Sequence, residues 1–359
     1  MSLIIYIAHR LSKDYLTMKL FFNWVKKHFP AILCLIAMAM ILFALVAPWL
    51  FATHSGSIAF NSDTGAIGDT FGIMNPFVAI AAALITFVAF WTQYQANQEM
   101  QKNSNKMQFE RQFYEMLKIH CDKVEKLHAE SIYAPTQKDP PIQKKVEGQD
   151  YFRSLLEEFD LIYSEICKLE GLEGAFVKAY RTFFFGIGLT AKELSKDTAA
   201  HFQNFYTLEN NKSLFMEKYP KLAPIADSLF IGRMDQLVSY YRHLFLMVKT
   251  VAQFNDELFP YEDKRQFLRI LRAQLSSAEQ VLLYYNWKSG CGEKWEEDSS
   301  KPNGNHFFTD FRMIHNIIPK DCWGFSSDEI LQSLLEKNPD YRKLNDEDSL
   351  FELIDEKSV

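Results

Sequence analysis

The chain lacks most of what marks a catalytic or secreted protein. It has five cysteines and no CxxC pair in 359 residues, so spacing sets up neither a disulfide framework nor a paired-thiol metal knuckle. It has no Gly-Lys dipeptide, which excludes a P-loop cradling phosphate with backbone amides and a lysine. No HExxH zinc helix and no GxSxG nucleophile elbow occurs. None of the nine histidines has an arginine four to six positions upstream, the spacing used by helical ribonucleases. Basic excess is missing too: a net charge of −6 leaves no electrostatic footprint for direct nucleic-acid binding. No long alternation of apolar and polar residues is present, so no sheet of any size is expected.

Charge itself is missing in two places. Ala31–Phe51, "AILCLIAMAMILFALVAPWLF", has none over 21 positions, and Phe71–Trp91 has none over another 21. A bilayer core of about 30 Å needs about 20 apolar residues in a helix, so each stretch is long enough to span. A cleaved signal, with its apolar core of about 7–15 residues, is the rival for the first stretch. A start at Met18 would leave "MKLFFNWVKKHFP" as a short basic leader, but the second stretch argues for a retained hairpin. Arg10, Lys13, Lys19, Lys26 and Lys27 precede the first span, and Lys102, Lys106 and Arg111 follow the second. The intervening Ala52–Thr70 holds Asp63 and Asp69 but no basic residue. Basic residues stay inside, so both termini are expected in the cytoplasm. Trp24, Trp49 and Trp91 fall near the expected interfaces.

Within the second span Gly72, Pro76, Ala79, Ala83 and Thr86 recur at steps of 4, 3, 4 and 3. Together with Asn75 they make a small-residue face of the kind through which membrane helices approach closely. It would pack on the first span or, in the sharper reading, between subunits around a pore. Pro76 falls in the first turns, where a missing N–H costs least.

From Gln93 to about Glu130 there is no Pro or Gly, and a helical stalk is expected. Met100, Met107, Tyr114 and Cys121 form a weak heptad, and Phe109, Phe113, Met116 and His120 an adjacent face that would dock on the following domain. "YAPTQKDPPIQ", Tyr133–Gln143, reads as a loop. Helices are expected over Asp150–Glu170, Gly174–Leu194 with a break at Gly186 and Gly188, Asp227–Asp256 and Tyr261–Trp287. Short helices near 305–318 and 326–337 follow. Ser326–Val359 carries ten acids against four bases, a solvated acidic tail with one helix in it. The predicted architecture is all-α. Its parts are a leader (1–30), a transmembrane hairpin (spans 31–51 and 71–91, loop 52–70), a stalk (92–130), a cytosolic helical bundle (131–325) and the tail (326–359).

Candidate chemistry is sparse. Arg265, Arg269 and Arg272 form an i, i+4, i+7 stripe, with Gln274, Glu279 and Asn286 further along the same predicted helix. A salt-bridged face is the plain reading, and an anion site the sharper one, because clustered guanidinium groups bind oxyanions well. Arg242-His243 in "SYYRHLFLMV" is similar. Gln274 lies on the apolar stripe, so it is expected buried and hydrogen-bonded. Cys291, His306, His315 and Cys322 match no common zinc spacing. No catalytic residue, metal or cofactor is expected.

Four stretches resemble a known family: "GDTFGIMNPFVAIAAALITFVAFWTQ", "FERQFYEMLKIHCDKV", "YYRHLFLMVKTV" and "FLRILRAQLSSAEQVLLYYN". Together, over Gly68–Asn286, they are similar to the AbiC-like phage abortive-infection membrane proteins. Leu271-Arg272-Ala273-Gln274-Leu275-Ser276 leading to Tyr285-Asn286 is the most specific piece, with Glu279 at the acidic position. The resemblance implies two spans, a helical cytosolic domain and bacterial defence by arrest or death of the infected cell, and it supplies no catalytic residues. The leading expectation is a non-enzymatic inner-membrane effector, oligomeric, with the bilayer and a phage-derived trigger or partner protein as its partners. The alternatives are a tethered nuclease or nucleotide-cleaving enzyme using Arg242, His243, Arg269, Arg272 and Glu279, or a receptor for a small anion.

Overall fold

The computed structural model describes residues 28–46, 72, 75–133, 140, 142–207, 218–317 and 325–352. The leader up to Lys27, Trp24, Trp49, the expected external loop 52–70, Cys322 and residues 353–359 lie outside the described residues. The chain is mostly helical, with one two-stranded sheet among the described residues. It divides into two compact units, Met1–Met107 and Gln108–Val359.

The first unit holds α1, His28–Val46, and the beginning of α2, Asn75–Lys126. Both helices are long and apolar enough to cross a membrane. They run antiparallel: Phe29 meets Phe87 at 6.5 Å and Phe43 meets Phe77 at 5.4 Å, edge to face. Ala37 and Ala81 are almost completely buried, as expected where two helices approach through small side chains. The less exposed positions of α2 are Phe77, Ala81, Leu84, Val88 and Trp91. Gly72, Asn75, Pro76, Ala79, Ala83 and Thr86 are all exposed, so the hairpin does not close through the small-residue face. The close approach is made instead at Ala37 and Ala81, flanked by the ring contacts of Phe29 with Phe87 and Phe43 with Phe77.

In the second unit α2 continues with Phe109, Phe113 and His120 buried and Met116 half-buried. Phe109 lies 4.1 Å from Phe254 and 4.9 Å from Phe259, and Phe113 lies 5.0 Å from Phe267. This is the expected docking face. Met100, Met107 and Tyr114 are exposed, so the heptad is no coiled-coil seam in this chain. The helix stops at Lys126, and β1, His128–Tyr133, pairs antiparallel with β2, Ile142–Glu147. Strand β1 corrects the expected stalk end, and the two strands take the ends of the expected loop, of which 134–139 and 141 lie outside the described residues. Both strands are short and rest on a 3-10 turn at Ala223–Ser228: Ser131 donates to the Ala223 carbonyl and the Ile132 amide to Asp227 at 3.3 Å.

Helix α3, Gln149–Glu170, forms the middle of this unit. Phe159 on it touches Phe176 and Phe183 of α4, Ala175–Phe185, and Tyr285 of α9, Ser277–Lys288. Helices α5, Ile187–Thr190, and α6, Lys196–Thr207, follow. At the end of α4 two backbones cross at Gly186 and Gly232, with φ of +83° and +99°. A Cβ on Gly186 would sit 2.3 Å from the Ile231 carbonyl oxygen, and one on Gly232 would sit 2.7 Å from the Phe185 carbonyl carbon. Only glycine fits both the space and the dihedral. The neighbouring Phe230 also has positive φ, at +62°. Its amide donates to Glu158 at 2.8 Å, and the other Glu158 oxygen accepts from Arg233 Nε at 2.6 Å. Both members of this ion pair are buried. Helix α7 therefore begins at Met234, later than expected, and runs to Ala252.

The single helix expected over Tyr261–Trp287 is two, α8, Tyr261–Arg272, and α9. The break comes from a capping box. Ser276 Oγ accepts from the Glu279 amide at 3.3 Å, and Glu279 accepts from the Ser276 amide at 2.7 Å. Two orphan donors of the new helix start are satisfied in this way. A second box, Ser326 with Glu329, opens α10, Ser327–Leu335.

Candidate functional site

The residues singled out by sequence fall into distinct polar networks. The first surrounds the start of α9. Glu279 is buried and accepts from Tyr240 Oη at 2.9 Å and from the Ser276 amide and hydroxyl. Burial raises its carboxyl above the usual range, and the donors from Ser276 and Tyr240 pull it back. The side chain is spent on capping and anchoring. The buried glutamine is Gln280: its Nε2 donates to the Leu275 carbonyl at 3.3 Å and its Oε1 accepts from the Asn316 amide at 2.9 Å. Gln274, expected in that role, is exposed in the turn between α8 and α9. Its backbone carbonyl accepts from Gln149 Nε2 at 3.0 Å and its amide donates to the Leu271 carbonyl at 3.0 Å. The turn takes Gln274 off the helical stripe on which its burial was inferred.

Asn286, at the other end of α9, is buried, and its Nδ2 donates to Tyr180 Oη at 3.0 Å. Its carbonyl accepts from the Gly292 amide at 2.9 Å and from Ser289 Oγ at 2.9 Å. It ties the helix end to the loop that follows.

Arg242 and His243 differ from one another. Arg242 is exposed; His243 is half-buried and donates from Nε2 to the Met116 carbonyl at 3.1 Å. With Lys123 and Ser239 they line an open cleft of about 550 Å³. Behind His243, stacked at 6.0 Å, lies His120, which is buried with no hydrogen-bond partner on either ring nitrogen. Burial first, then the nearby His243 and Lys123, hold His120 down to about 4. It is therefore a neutral ring near pH 7.

The arginine stripe of α8 does not face water as a unit. Arg269 is exposed. Arg265 donates to the Asp310 carbonyl at 2.9 Å and to Asp348 Oδ1 at 2.8 Å. Arg272 donates to the Arg312 carbonyl at 2.8 Å. Burial, Arg265 and Arg269 push the Arg272 guanidinium down to about 10. Arg312 is completely buried; its Nη2 reaches Asp348 Oδ2 at 2.9 Å and its Nε the Ser349 carbonyl at 3.1 Å. The acidic C-terminal segment is thus no solvated tail as far as Glu352. It is held on the arginines, with Leu350 buried and its carbonyl accepting from His315 Nδ1 at 2.8 Å. His306 sits 3.5 Å from Glu296 and Cys291 is exposed, so these candidates have separate surroundings.

Sequence reasoning placed His120 on the docking face and missed Tyr240, Gln280, Arg312 and Asp348. The box Ser276-x-x-Glu279 was a readable signal for the helix break; nothing local announces the pairing of Arg312 with Asp348.

Residues 232–322 match the family model described as "Putative phage abortive infection protein". That segment is similar to the AbiC-like proteins. The AbiC-like segment takes in α7, α8, α9 and Arg312, and with them the third and fourth stretches quoted above; the first two stretches and the hairpin lie outside it. The match supports a role in phage abortive infection. No curated protein and no solved structure matches the chain.

Proposed function

We propose that the chain is a membrane-anchored effector of phage abortive infection. In this reading the helical unit receives the infection signal, and the hairpin, assembled with further copies, perturbs the inner membrane. The observation that carries the membrane part is where the apolar side chains lie. Only 6% of the apolar window of α1 and 11% of that of α2 is buried. Leu45 is 72% exposed and Phe90 68%. A core helix of a water-soluble protein would bury such side chains; these suit hydrocarbon. The absence of Lys and Arg from 52–70 supports cytoplasmic termini. The exposed small-residue face of Ala79 and Ala83 supports contact between copies, because α1 does not use it. Uncharged spans are compatible with a pore gated by apolar constriction.

Ala79→Leu/Ala83→Leu tests this reading. Leucine suits lipid, so the protein is expected to insert normally and yet to lose phage protection and infection-triggered membrane depolarisation. Full protection by this variant sinks the mechanism. A tethered enzyme is the second reading, favoured by the cleft that His243 shares with Lys123, Ser239 and Arg242. A folded, normally expressed His243→Ala protein without protection, while the leucine variant protects, selects it.

A further inference from the structure

Asp348 occupies the position a ligand would take. One carboxylate receives Arg265 Nη2 at 2.8 Å, Arg312 Nη2 at 2.9 Å and the Leu344 amide at 3.0 Å. Two guanidinium groups and a backbone N–H converging on one anion is the arrangement by which proteins hold phosphoryl oxygens. We propose that Arg265, Arg272 and Arg312 form a binding site for a phosphoryl anion, filled in this state by Asp348 of the chain's own C-terminal segment.

The charge balance favours an exchangeable occupant. Asp310 accepts from Asn338 Nδ2 and from the Arg342 amide, and Glu352 from Asn316; neither carboxylate is in contact with these guanidiniums, although Asp310 favours the charged form of Arg265 and Glu352 that of Arg272. Arg272 has a backbone carbonyl as its hydrogen-bond acceptor, and burial first, then the repulsion of Arg265 and Arg269, lowers its affinity for the proton. Nη1 of Arg312 is buried without a partner. Among the described residues Asp348 is the carboxylate in direct contact with these guanidinium groups, and a phosphoryl dianion has more charge and more acceptor oxygens to offer them.

Room points the same way. A cleft of about 500 Å³ beside the segment is lined by Asp256, Pro260, Tyr261, Arg342 and Lys343, with Asp256 paired to Lys264 at 2.5 Å. The Tyr261 hydroxyl donates to the Asp310 carbonyl, and the Arg342 guanidinium lies over its ring at 5.4 Å. An aromatic group attached to the phosphoryl group would find a stacking surface there, which makes a nucleoside diphosphate a fitting ligand. Residues 342–347 are exposed and have no regular secondary structure, and Leu350 is the fully buried apolar anchor of the segment. Vacating the site outright would leave buried guanidinium groups unpaired, which is costly. The segment therefore leaves by exchange with an incoming anion.

The inference stands apart from the membrane reading, since it is measured as binding. Calorimetry on the full chain in detergent, titrated with pyrophosphate and with ADP, is expected to give saturable binding of both and none of adenosine. Removing the internal competitor, Asp348→Asn, is expected to tighten pyrophosphate binding about tenfold, and Arg265→Gln to weaken it by about as much. On the unmodified chain, pyrophosphate is expected to speed tryptic cleavage at Arg342 and Lys343. Absence of saturable binding to both the wild-type chain and Asp348→Asn overturns the proposal. So does binding that neither substitution changes, or cleavage indifferent to pyrophosphate.

Discussion

In the hairpin the buried residues are two alanines, Ala37 and Ala81, while Leu45 and Phe90 stand clear of the protein. In the helical unit the order is reversed: Phe113, Phe159 and Tyr285 are inside, and they share the interior with a full ion pair, Glu158 and Arg233. Both regions are helices meeting helices. On the membrane-anchored reading proposed above, the difference is what surrounds them. Where the surroundings are as apolar as leucine, burying leucine gains nothing and close approach of small residues is left to hold the contact. Where the surroundings are water, aromatic area drives assembly, and charges enter only with partners.

The sharpest way to break this comparison is to unpair the buried charge. Glu158→Gln leaves Arg233 inside without its counter-ion and is expected to cost the helical unit about 3–5 kcal/mol, read by urea unfolding followed through tryptophan fluorescence. Membrane insertion of the hairpin, read by alkaline extraction, is expected to be unchanged. A loss of less than about 1 kcal/mol would mean that the ion pair is no more than surface-like.

Acid probes the same interior at a neutral group. The folded-state value of His120, about 4, lies below its ordinary 6.5. Between these values the unfolded chain binds a proton that the folded chain refuses, so stability present above pH 6.5 is lost as the pH falls towards 4. The loss amounts to roughly 3 kcal/mol by the lower limit. His120→Phe is expected to flatten this part of the pH–stability profile; an unaltered slope would assign it to other groups.

The smallest effect belongs to the hairpin. Ala81→Leu overfills the contact with α1 at an expected cost of about 1–3 kcal/mol, whereas Ala79→Leu, on the exposed face, leaves the hairpin intact. Disulfide yield in a Phe43→Cys/Phe77→Cys chain reports the difference, falling with the first substitution only.

How far the sequence foretold this arrangement depended on whether a signal was local. The 3.6-residue stripe of Phe152, Leu155, Phe159, Ile162 and Ile166 gave α3 almost to the residue, and all five are buried. The face Phe109–Phe113 was equally legible. The small-residue face was legible as a stripe, but periodicity names the faces of a helix without saying which of them meets a neighbour. Strands β1 and β2 were hidden because six residues each carry little alternation and rest on a distant turn at Ala223–Ser228. The largest gap is in the arginine site. Arg312 and Asp348 are 36 positions apart in stretches without periodicity, and only the return of the chain brings them together.

The crossing at Gly186 and Gly232 sets a limit on how this fold can vary. Every single-base change in a glycine codon that alters the residue adds a Cβ or ends the chain. At either position that Cβ meets backbone atoms of the other strand, which have no rotamer to escape into. Nor can a change at one position be rescued at the other, since neither glycine has anything left to remove. The two codons are therefore a mutational dead end shared by segments far apart in the chain, and Gly232 is the residue at which the AbiC-like match begins. A saturation library selected for phage protection should come back empty at both.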